Sequence, residues 1–172
     1  MGPRALGALA GALVLGAVAL ALPATAAGSL PSRGVFVPGK SLGGVRLGDT
    51  RSDVLQVWGS RRGVCRDCRL VTWYFNLKPF EPQGAAVVFR GGRVVRAYTV
   101  WRPRGWSTNE GLELGATSGA LAEAYPGLVS RSCDRYTASI RRSDVRATSV
   151  FYVYRGRLWA FGLMRPRLSS CL

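Results

Sequence analysis

Histidine is absent from the 172 residues of this chain. Histidine is the usual general base of triad hydrolases and the commonest metal ligand among side chains. Its absence excludes Ser-His-Asp and Cys-His catalysis and any metal site that needs an imidazole. Lysine is also scarce, because only Lys40 and Lys78 occur, and no Ser-x-x-Lys dyad can be formed.

Acidic residues are few, at nine against 24 basic ones. None of them forms a convincing acid–base pair. Asp53 is expected to cap a helix, Glu123 lies alone within a second helix, and Glu110 and Glu113 flank a turn. Glycoside hydrolysis, which needs two facing carboxylates, is therefore disfavoured. We predict no catalytic residues, no cofactor and no metal site, and a protein that is not an enzyme.

Long apolar runs are confined to the N-terminus. Arg4 precedes an apolar stretch over residues 5–22, and Ala24-Thr25-Ala26 offers a small-x-small cleavage site. This pattern is typical of a secretory signal peptide over residues 1–27, cleaved near Ala26/Ala27. An uncleaved anchor is the alternative. No cysteine stands at the cleavage point, which argues against a lipoprotein. We predict a secreted or extracytoplasmic bacterial protein with no membrane span after cleavage.

The net charge is +15, and nearly all of the basic residues are arginine. Such a charge suits an anionic partner, for example a phosphate-bearing wall polymer. Abundant arginine beside alanine, glycine and valine is also typical of coding bias in a GC-rich genome, so a solvated basic surface is the alternative. Export and the lack of an RNA-recognition motif argue against a nucleic-acid partner.

One segment of the sequence occurs twice, at residues 44–59 and 111–127. The identical positions are Gly44, Leu47, Gly48 and Thr50, which recur as Gly111, Leu114, Gly115 and Thr117. Internal repetition of this kind indicates a repeat architecture. Thr50 followed by Asp53 predicts a helix from Arg51 to Trp58 that ends at Gly59. Thr117 predicts a second helix that ends near Tyr125.

After each helix we expect a polar loop that carries cysteine, followed by about three antiparallel strands. Gly91-Gly92 and Arg155-Gly156 predict the hairpin turns. The predicted fold class is α+β, with two tandem repeats, each a short helix followed by strands, whose sheets join and carry the helices on one face. The predicted divisions are a linker at 28–43, repeat 1 at 44–103, an inter-repeat linker at 104–110 and repeat 2 at 111–172.

The Leu-Gly-x-Thr turn with its helix and following strands resembles the repeat of the BamE (SmpA/OmlA) outer-membrane lipoproteins. As a tandem, secreted, disulfide-containing form, the chain also resembles the beta-lactamase inhibitory protein (BLIP). The second copy departs from the pattern, because Pro126 stands where the final glycine is expected and Gly127 follows. The resemblance implies a shared fold with an open sheet face as the binding surface.

Four cysteines in an exported chain indicate two disulfides, with three possible connectivities. We favour Cys65–Cys68 and Cys133–Cys171, because Cys65 and Cys133 occupy equivalent loops and Cys171 is the terminal partner left over. Cys65-Arg-Asp-Cys68 also has the spacing of a redox motif, but a catalytic pair usually begins at a helix N-terminus. A site for zinc is disfavoured because Cys133 and Cys171 lack paired spacing.

Aromatic residues alternate along the predicted strands, so both core and exposed positions are expected for them. Together with arginine, the exposed ones would form a surface for a partner. The candidate binding residues are Trp73, Phe75, Trp101, Arg104, Trp106, Tyr152 and Trp159. We predict a secreted or envelope-associated, non-enzymatic binding module whose partner is an unknown protein. The alternatives are an extracytoplasmic thiol-disulfide protein that uses Cys65 and Cys68, and a basic binder of anionic cell-wall polymer.

Overall fold

The structure, a computed structural model, describes Gly2 and residues 28–65, 67–76, 84–100, 103–142 and 146–172. The predicted signal peptide, Gly2 apart, and Trp101 lie outside these residues. Two helices and eleven strands follow one another: β1 (Gly34–Val37), β2 (Ser41–Leu42), α1 (Arg51–Trp58), β3 (Gly63–Cys65), β4 (Val71–Asn76), β5 (Gly84–Arg90), β6 (Arg93–Val100), β7 (Trp106–Thr108), α2 (Ser118–Ala124), β8 (Val129–Cys133), β9 (Tyr136–Arg142), β10 (Thr148–Tyr154) and β11 (Arg157–Met164).

Most of these strands form one antiparallel sheet of eight, in the order β3-β4-β5-β6-β11-β10-β9-β8. A smaller sheet, β2-β1-β7, pairs β1 with β7 in parallel. The predicted α+β class with two helix-plus-strand repeats is therefore wrong, because the described chain is mainly β. The helices have only eight and seven residues. The stretches interpreted as polar cysteine-bearing loops form β3 and β8, and parts of both predicted linkers form β1, β2 and β7.

The two helices begin where the threonines predict. The Thr50 hydroxyl accepts a hydrogen bond from the Asp53 backbone N–H at 3.1 Å, and an Asp53 carboxylate oxygen accepts one from the Thr50 N–H at 2.7 Å. The Thr50 hydroxyl also donates to this carboxylate, at 2.7 Å, and the two hydrogen bonds that the carboxylate accepts from the backbone and side chain of Thr50 lower the pKa of Asp53. The Thr117 hydroxyl accepts a hydrogen bond from the Ala120 N–H at 3.1 Å. The predicted helix starts are confirmed, as are both hairpin turns.

The core lies between the large sheet and the layer formed by the helices and the smaller sheet. We call this side of the large sheet the helix-facing side. Phe36 of β1 stacks on Phe161 of β11 with ring centroids 5.2 Å apart, and Trp58 of α1 meets Phe75 of β4 edge-on at 5.3 Å. All four side chains are fully buried. Burial of Trp58 in α1 and of Leu121 in α2, rather than helix propensity, holds the two short helices in place.

The opposite side of the sheet has its own apolar cluster, which includes Tyr152, Ala160 and Met164. The C-terminal residues cover it. Leu168 and Cys171 pack against the cluster, and the Cys133–Cys171 disulfide ties the end of the chain to β8. Both favoured disulfides are present, since Cys65 is bonded to Cys68 as well. Two disulfides fit a protein that lies outside the cytoplasm.

Strands β6 and β11 join the two halves of the large sheet, and Gly162 lies in that joint opposite Tyr98. A Cβ at Gly162 would come within 2.3 Å of the Ala97 carbonyl oxygen and 2.6 Å of the Tyr98 Cβ. Only glycine therefore permits this close approach of the two backbones.

We expect Gly162→Ala to lower the free energy of unfolding by about 1–3 kcal/mol, the usual cost of overpacking. Denaturant unfolding followed by circular dichroism measures it. Gly63→Ala is the matched control, because Gly63 is also a strand glycine and a Cβ there meets no atom within 4 Å. An equal loss in both variants would contradict the close approach at the joint.

Candidate functional site

Most of the residues predicted to bind a partner are core residues. At most 5% of the side-chain surface is exposed in Trp73, Phe75, Trp106 and Tyr152. Trp159 is half-buried and Arg104 is exposed in a turn. These residues do not come together on one surface. Trp73, Phe75 and Trp106 belong to the helix-facing core, whereas Tyr152 and Trp159 belong to the cluster on the opposite side.

Trp73 marks the border of the helix-facing core at one end of the sheet. Its ring lies 4.7 Å from that of Phe89, and the Arg62 guanidinium carbon stacks 3.9 Å from the ring centroid. Arg51 of α1 lies 5.8 Å from the same centroid. Two arginines are therefore held against the core by cation–π contact, and they cover Trp73.

Aromatic side chains also fill the opposite side of the sheet. The Tyr152 ring lies 5.8 Å from both Tyr136 and Trp159. Burial is the main cause that raises the pKa of Tyr152. Burial, together with the neighbouring Tyr74, raises the pKa of Tyr98. Burial therefore favours the neutral form of both hydroxyls.

The candidate site is a groove of about 440 Å³ between α2 and strands β8, β9 and β10. We call it the α2 groove. Both walls mix apolar side chains with hydroxyl groups. The lining residues are Ser118, Leu121, Ala122, Tyr125, Gly127, Leu128, Ser130, Thr137, Ser139 and Val153. The volume of the groove is within the range of roughly 300–1,000 Å³ that is typical of ligand sites.

The groove exists because β9 carries small residues where its counterpart strand carries large ones. Strands β4 and β9 each lie second from an edge of the sheet. On the helix-facing side, β4 presents Trp73 and Phe75, which pack near α1. On the same side β9 presents Thr137 and Ser139 beneath α2. Because Thr137 and Ser139 are smaller than these aromatic side chains, the space beneath α2 stays open.

Tyr125 lines the groove, and Arg141 lies beside it. The Tyr125 hydroxyl donates a hydrogen bond to the Asn109 side-chain oxygen at 3.0 Å, and burial is the main cause that raises its pKa. The Arg141 guanidinium carbon lies 5.7 Å from the Tyr125 ring centroid. Serine and threonine hydroxyls in the groove, with one guanidinium next to it, suit a carboxylate or a backbone carbonyl.

The sequence did contain a signal for these residues. In β8 and β9, hydroxyl residues stand two apart, as Ser130 and Ser132 and as Thr137 and Ser139. Residues two apart on a strand face the same side, so this alternation places four hydroxyls on one face. A prediction based on aromatic residues and arginine alone does not include this groove.

Chemistry other than binding finds no further support in this site. The groove lining contains no carboxylate, lysine or thiol. Within the part of the chain that the structure describes, no cluster of three or more His, Cys, Asp or Glu side chains could hold a metal ion. In the same residues, no helix is long and apolar enough to cross a membrane.

Comparisons with known proteins give partial structural likenesses and no family. No family model matches the chain, and no curated protein matches it either. An extracellular protein containing an SCP domain from Bacillus anthracis str. Ames is similar over 70% of this chain and 44% of its own length, at 16% identity and a TM-score of 0.43. The uncharacterized protein yfeY from Escherichia coli is similar over 75% and 98%, at 10% identity and a TM-score of 0.49.

At these identities and TM-scores, neither likeness supports an argument about function. The chain spans less than half of the SCP-domain protein. The resemblance to the BamE and BLIP repeats likewise stays a prediction, since nothing in these comparisons concerns it.

Proposed function

We propose that this chain is an extracytoplasmic, non-enzymatic binding protein that holds a segment of a partner protein in the α2 groove. The observation that carries the proposal is the groove itself, which is open because Thr137 and Ser139 stand where β4 has Trp73 and Phe75. The two disulfides fit the extracytoplasmic part of this function.

The shape of the groove favours a passing chain over an enclosed small molecule. Ser130 lies on β8, the last strand of the sheet, and Gly127 and Leu128 immediately precede that strand. The groove therefore reaches the edge of the sheet, where a polypeptide can enter and leave. Its half-buried apolar residues, Leu128 and Val153, can pack against apolar side chains of the segment, and its hydroxyls can bind polar groups.

This proposal moves the binding surface away from the aromatic residues first considered. Trp73, Phe75, Trp106 and Tyr152 are needed for packing, and their burial leaves little surface for a partner. Arg141 stays exposed beside the groove and supplies the cation that the arginine-rich composition led us to expect.

We expect Ser139→Trp to abolish partner binding, because the indole fills the groove as Trp73 fills the corresponding space at the other end. The oxidised protein, residues 27–172, is immobilised and exposed to envelope and secreted extract from its source, and bound protein is eluted with rising salt. The wild type should retain a discrete polypeptide above about 0.5 M salt, where exposed charges are screened. Ser139→Trp should retain at least about tenfold less.

The matched control is Ser60→Trp, which adds the same ring to an exposed serine before β3, at the far edge of the sheet. Near-ultraviolet circular dichroism checks that each variant folds, and Ser139→Leu provides a smaller filling residue if the tryptophan does not fold. Equal retention by Ser139→Trp and wild type contradicts the groove as the site. If all bound material elutes by about 0.2–0.3 M salt and the eluate contains polyanions, the result supports the polymer-binding alternative instead.

A further inference from the structure

The edge of the large sheet at β8 offers a second feature beside the α2 groove. Among the described residues, no strand pairs with the outer edge of β8. Four of its five residues, Val129 to Ser132, are exposed, and Val129 keeps 67% of its surface accessible. Along such an edge, alternate residues direct their N–H and C=O groups away from the sheet. These groups can pair with an added strand.

The other edge of the sheet is less suited to this role. Strand β3 has only three residues, and it ends at Cys65, which is bonded to Cys68. Short edge strands are one of the ways in which proteins prevent pairing with other chains. The longer β8 edge carries one charged residue, Arg131, and lies against the groove.

The charges near this edge indicate the chemistry of the partner. Arg131 lies in β8, Arg135 in the following turn and Arg141 in β9, and all three are exposed. Asp134 is the acidic residue of that turn, and its carboxylate lies 3.8 Å from the Arg135 guanidinium. The chain as a whole carries a net charge of +15. An acidic segment is therefore favoured over a basic or neutral one.

We infer that an acidic, extended segment of a partner protein adds to the free edge of β8 as a further antiparallel or parallel strand. This inference rests on the proposed function, since alternate side chains of the segment enter the α2 groove. Their carboxylates accept hydrogen bonds from the hydroxyls of Ser130, Thr137 or Ser139, and Arg141, on the same face of β9, attracts them. Main-chain pairing supplies affinity and the groove supplies selectivity, as in strand addition generally.

The test uses defined peptides and the oxidised protein, residues 27–172. The first probe is a capped peptide in which glutamate and valine alternate. Two matched peptides carry N-methyl groups on every glutamate nitrogen or on every valine nitrogen, and a fourth replaces glutamate by lysine. Amide hydrogen exchange, read by NMR, reports protection at residues 129–133, with residues 63–65 of β3 as the internal reference.

We expect the glutamate peptide to slow exchange of alternate β8 amides by about tenfold or more at saturation, and to leave β3 unchanged. One N-methylated peptide should lose this effect and the other should keep it, because only alternate N–H groups of an added strand face β8. The lysine peptide should not protect β8. Arg141→Glu, on the groove side of β9, should reverse the preference between glutamate and lysine, whereas Arg61→Glu, in the linker before β3, should not.

Two results separate failure of this inference from failure of the proposed function. Strand addition is overturned if all peptides bind equally, or if both N-methylated peptides fail to protect β8. In that case the proposed function still stands if Ser139→Trp weakens binding of the glutamate peptide. If the glutamate peptide instead protects β8 equally in Ser139→Trp and in the control Ser60→Trp, the result supports pairing at the edge and shows that the groove is not part of the binding site.

Discussion

Replacing Trp106 by alanine should lower the free energy of unfolding by about 3–5 kcal/mol, the usual cost of removing a buried large aromatic ring. Trp106 is 1% exposed, and its ring lies 5.8 Å from that of Trp58. Its indole N–H donates a hydrogen bond to the Pro31 carbonyl at 3.1 Å. The variant loses this bond as well as the packing of the ring against Trp58 of α1 and the backbone at Gly34.

The slot that holds Trp106 is made by two glycines. A Cβ at Gly34 or at Gly43 would come within 2.6 Å of the Trp106 ring. Gly34 pairs with Trp106 across the parallel strands β1 and β7, so the ring lies over the backbone of its own partner strand. Gly34→Ala should therefore destabilise the protein on its own, by pushing the ring out of this slot.

A double-mutant cycle tests the slot directly. If Gly34→Ala acts by displacing the ring, it should lower the free energy of unfolding much less in a protein that already carries Trp106→Ala. The effects of the two substitutions on the free energy of unfolding should then not add. Guanidinium unfolding followed by circular dichroism measures all four proteins. Additive losses, or a loss below about 1 kcal/mol for Trp106→Ala, would contradict the packing described for this residue.

Local features of the fold could be predicted from the sequence, because each depends on a few neighbouring residues. Thr50 with Asp53 gives the start of α1, Gly59 its end, and Gly91-Gly92 the hairpin between β5 and β6. The disulfide between Cys133 and Cys171, which are 38 residues apart, is instead indicated by the equivalent positions of Cys65 and Cys133 after the two helices, which leave Cys171 as the partner.

The features that were missed depend on residues far apart in the chain. The parallel pairing of β1 with β7 joins Gly34 to Trp106, and no local pattern indicates such a contact. Strands β3 and β8 are mostly exposed. They therefore lack the alternation of apolar and polar residues by which a strand is recognised in a sequence. The α+β prediction failed chiefly because these edge strands were interpreted as loops.

The location of the aromatic residues could not be decided from alternation alone. Alternation separates two faces of a strand, but here both faces are covered, one by the helices and β1-β2-β7 and the other by the C-terminal residues. Phe75 and Tyr152 are therefore both buried although they belong to opposite sides. The groove was harder still to predict, since it arises from small side chains at Thr137 and Ser139, which carry no strong propensity.

The structure also shows what some of the arginines do. Arg62 stacks on Trp73, and Arg96 of β6 reaches the C-terminal residues, where its guanidinium donates hydrogen bonds to the carbonyl oxygens of Ser169 and Cys171. These side chains act in packing and in tying down the chain end, so the arginine excess is partly structural. Arg131 and Arg141 remain on the surface near the α2 groove.

Removing the Cys133–Cys171 disulfide, by Cys133→Ala with Cys171→Ala, should lower the free energy of unfolding by about 3–4 kcal/mol. The bond joins residues with a sequence separation of 38. The entropy that such a bond removes from the unfolded chain grows with the length of the loop it closes. The terminal residues also lose part of their hold on the apolar cluster around Tyr152, although the Leu172 N–H still donates a hydrogen bond to the Tyr136 hydroxyl, at 2.6 Å.

The double variant Cys65→Ala with Cys68→Ala is the control, because its bond spans a separation of only three residues. The free energy of unfolding of this control should fall by less than about 2 kcal/mol, because a short loop removes little entropy from the unfolded chain. Guanidinium unfolding of both variants and of the oxidised wild type measures the difference. Equal losses of unfolding free energy in the two variants would contradict the role of loop length.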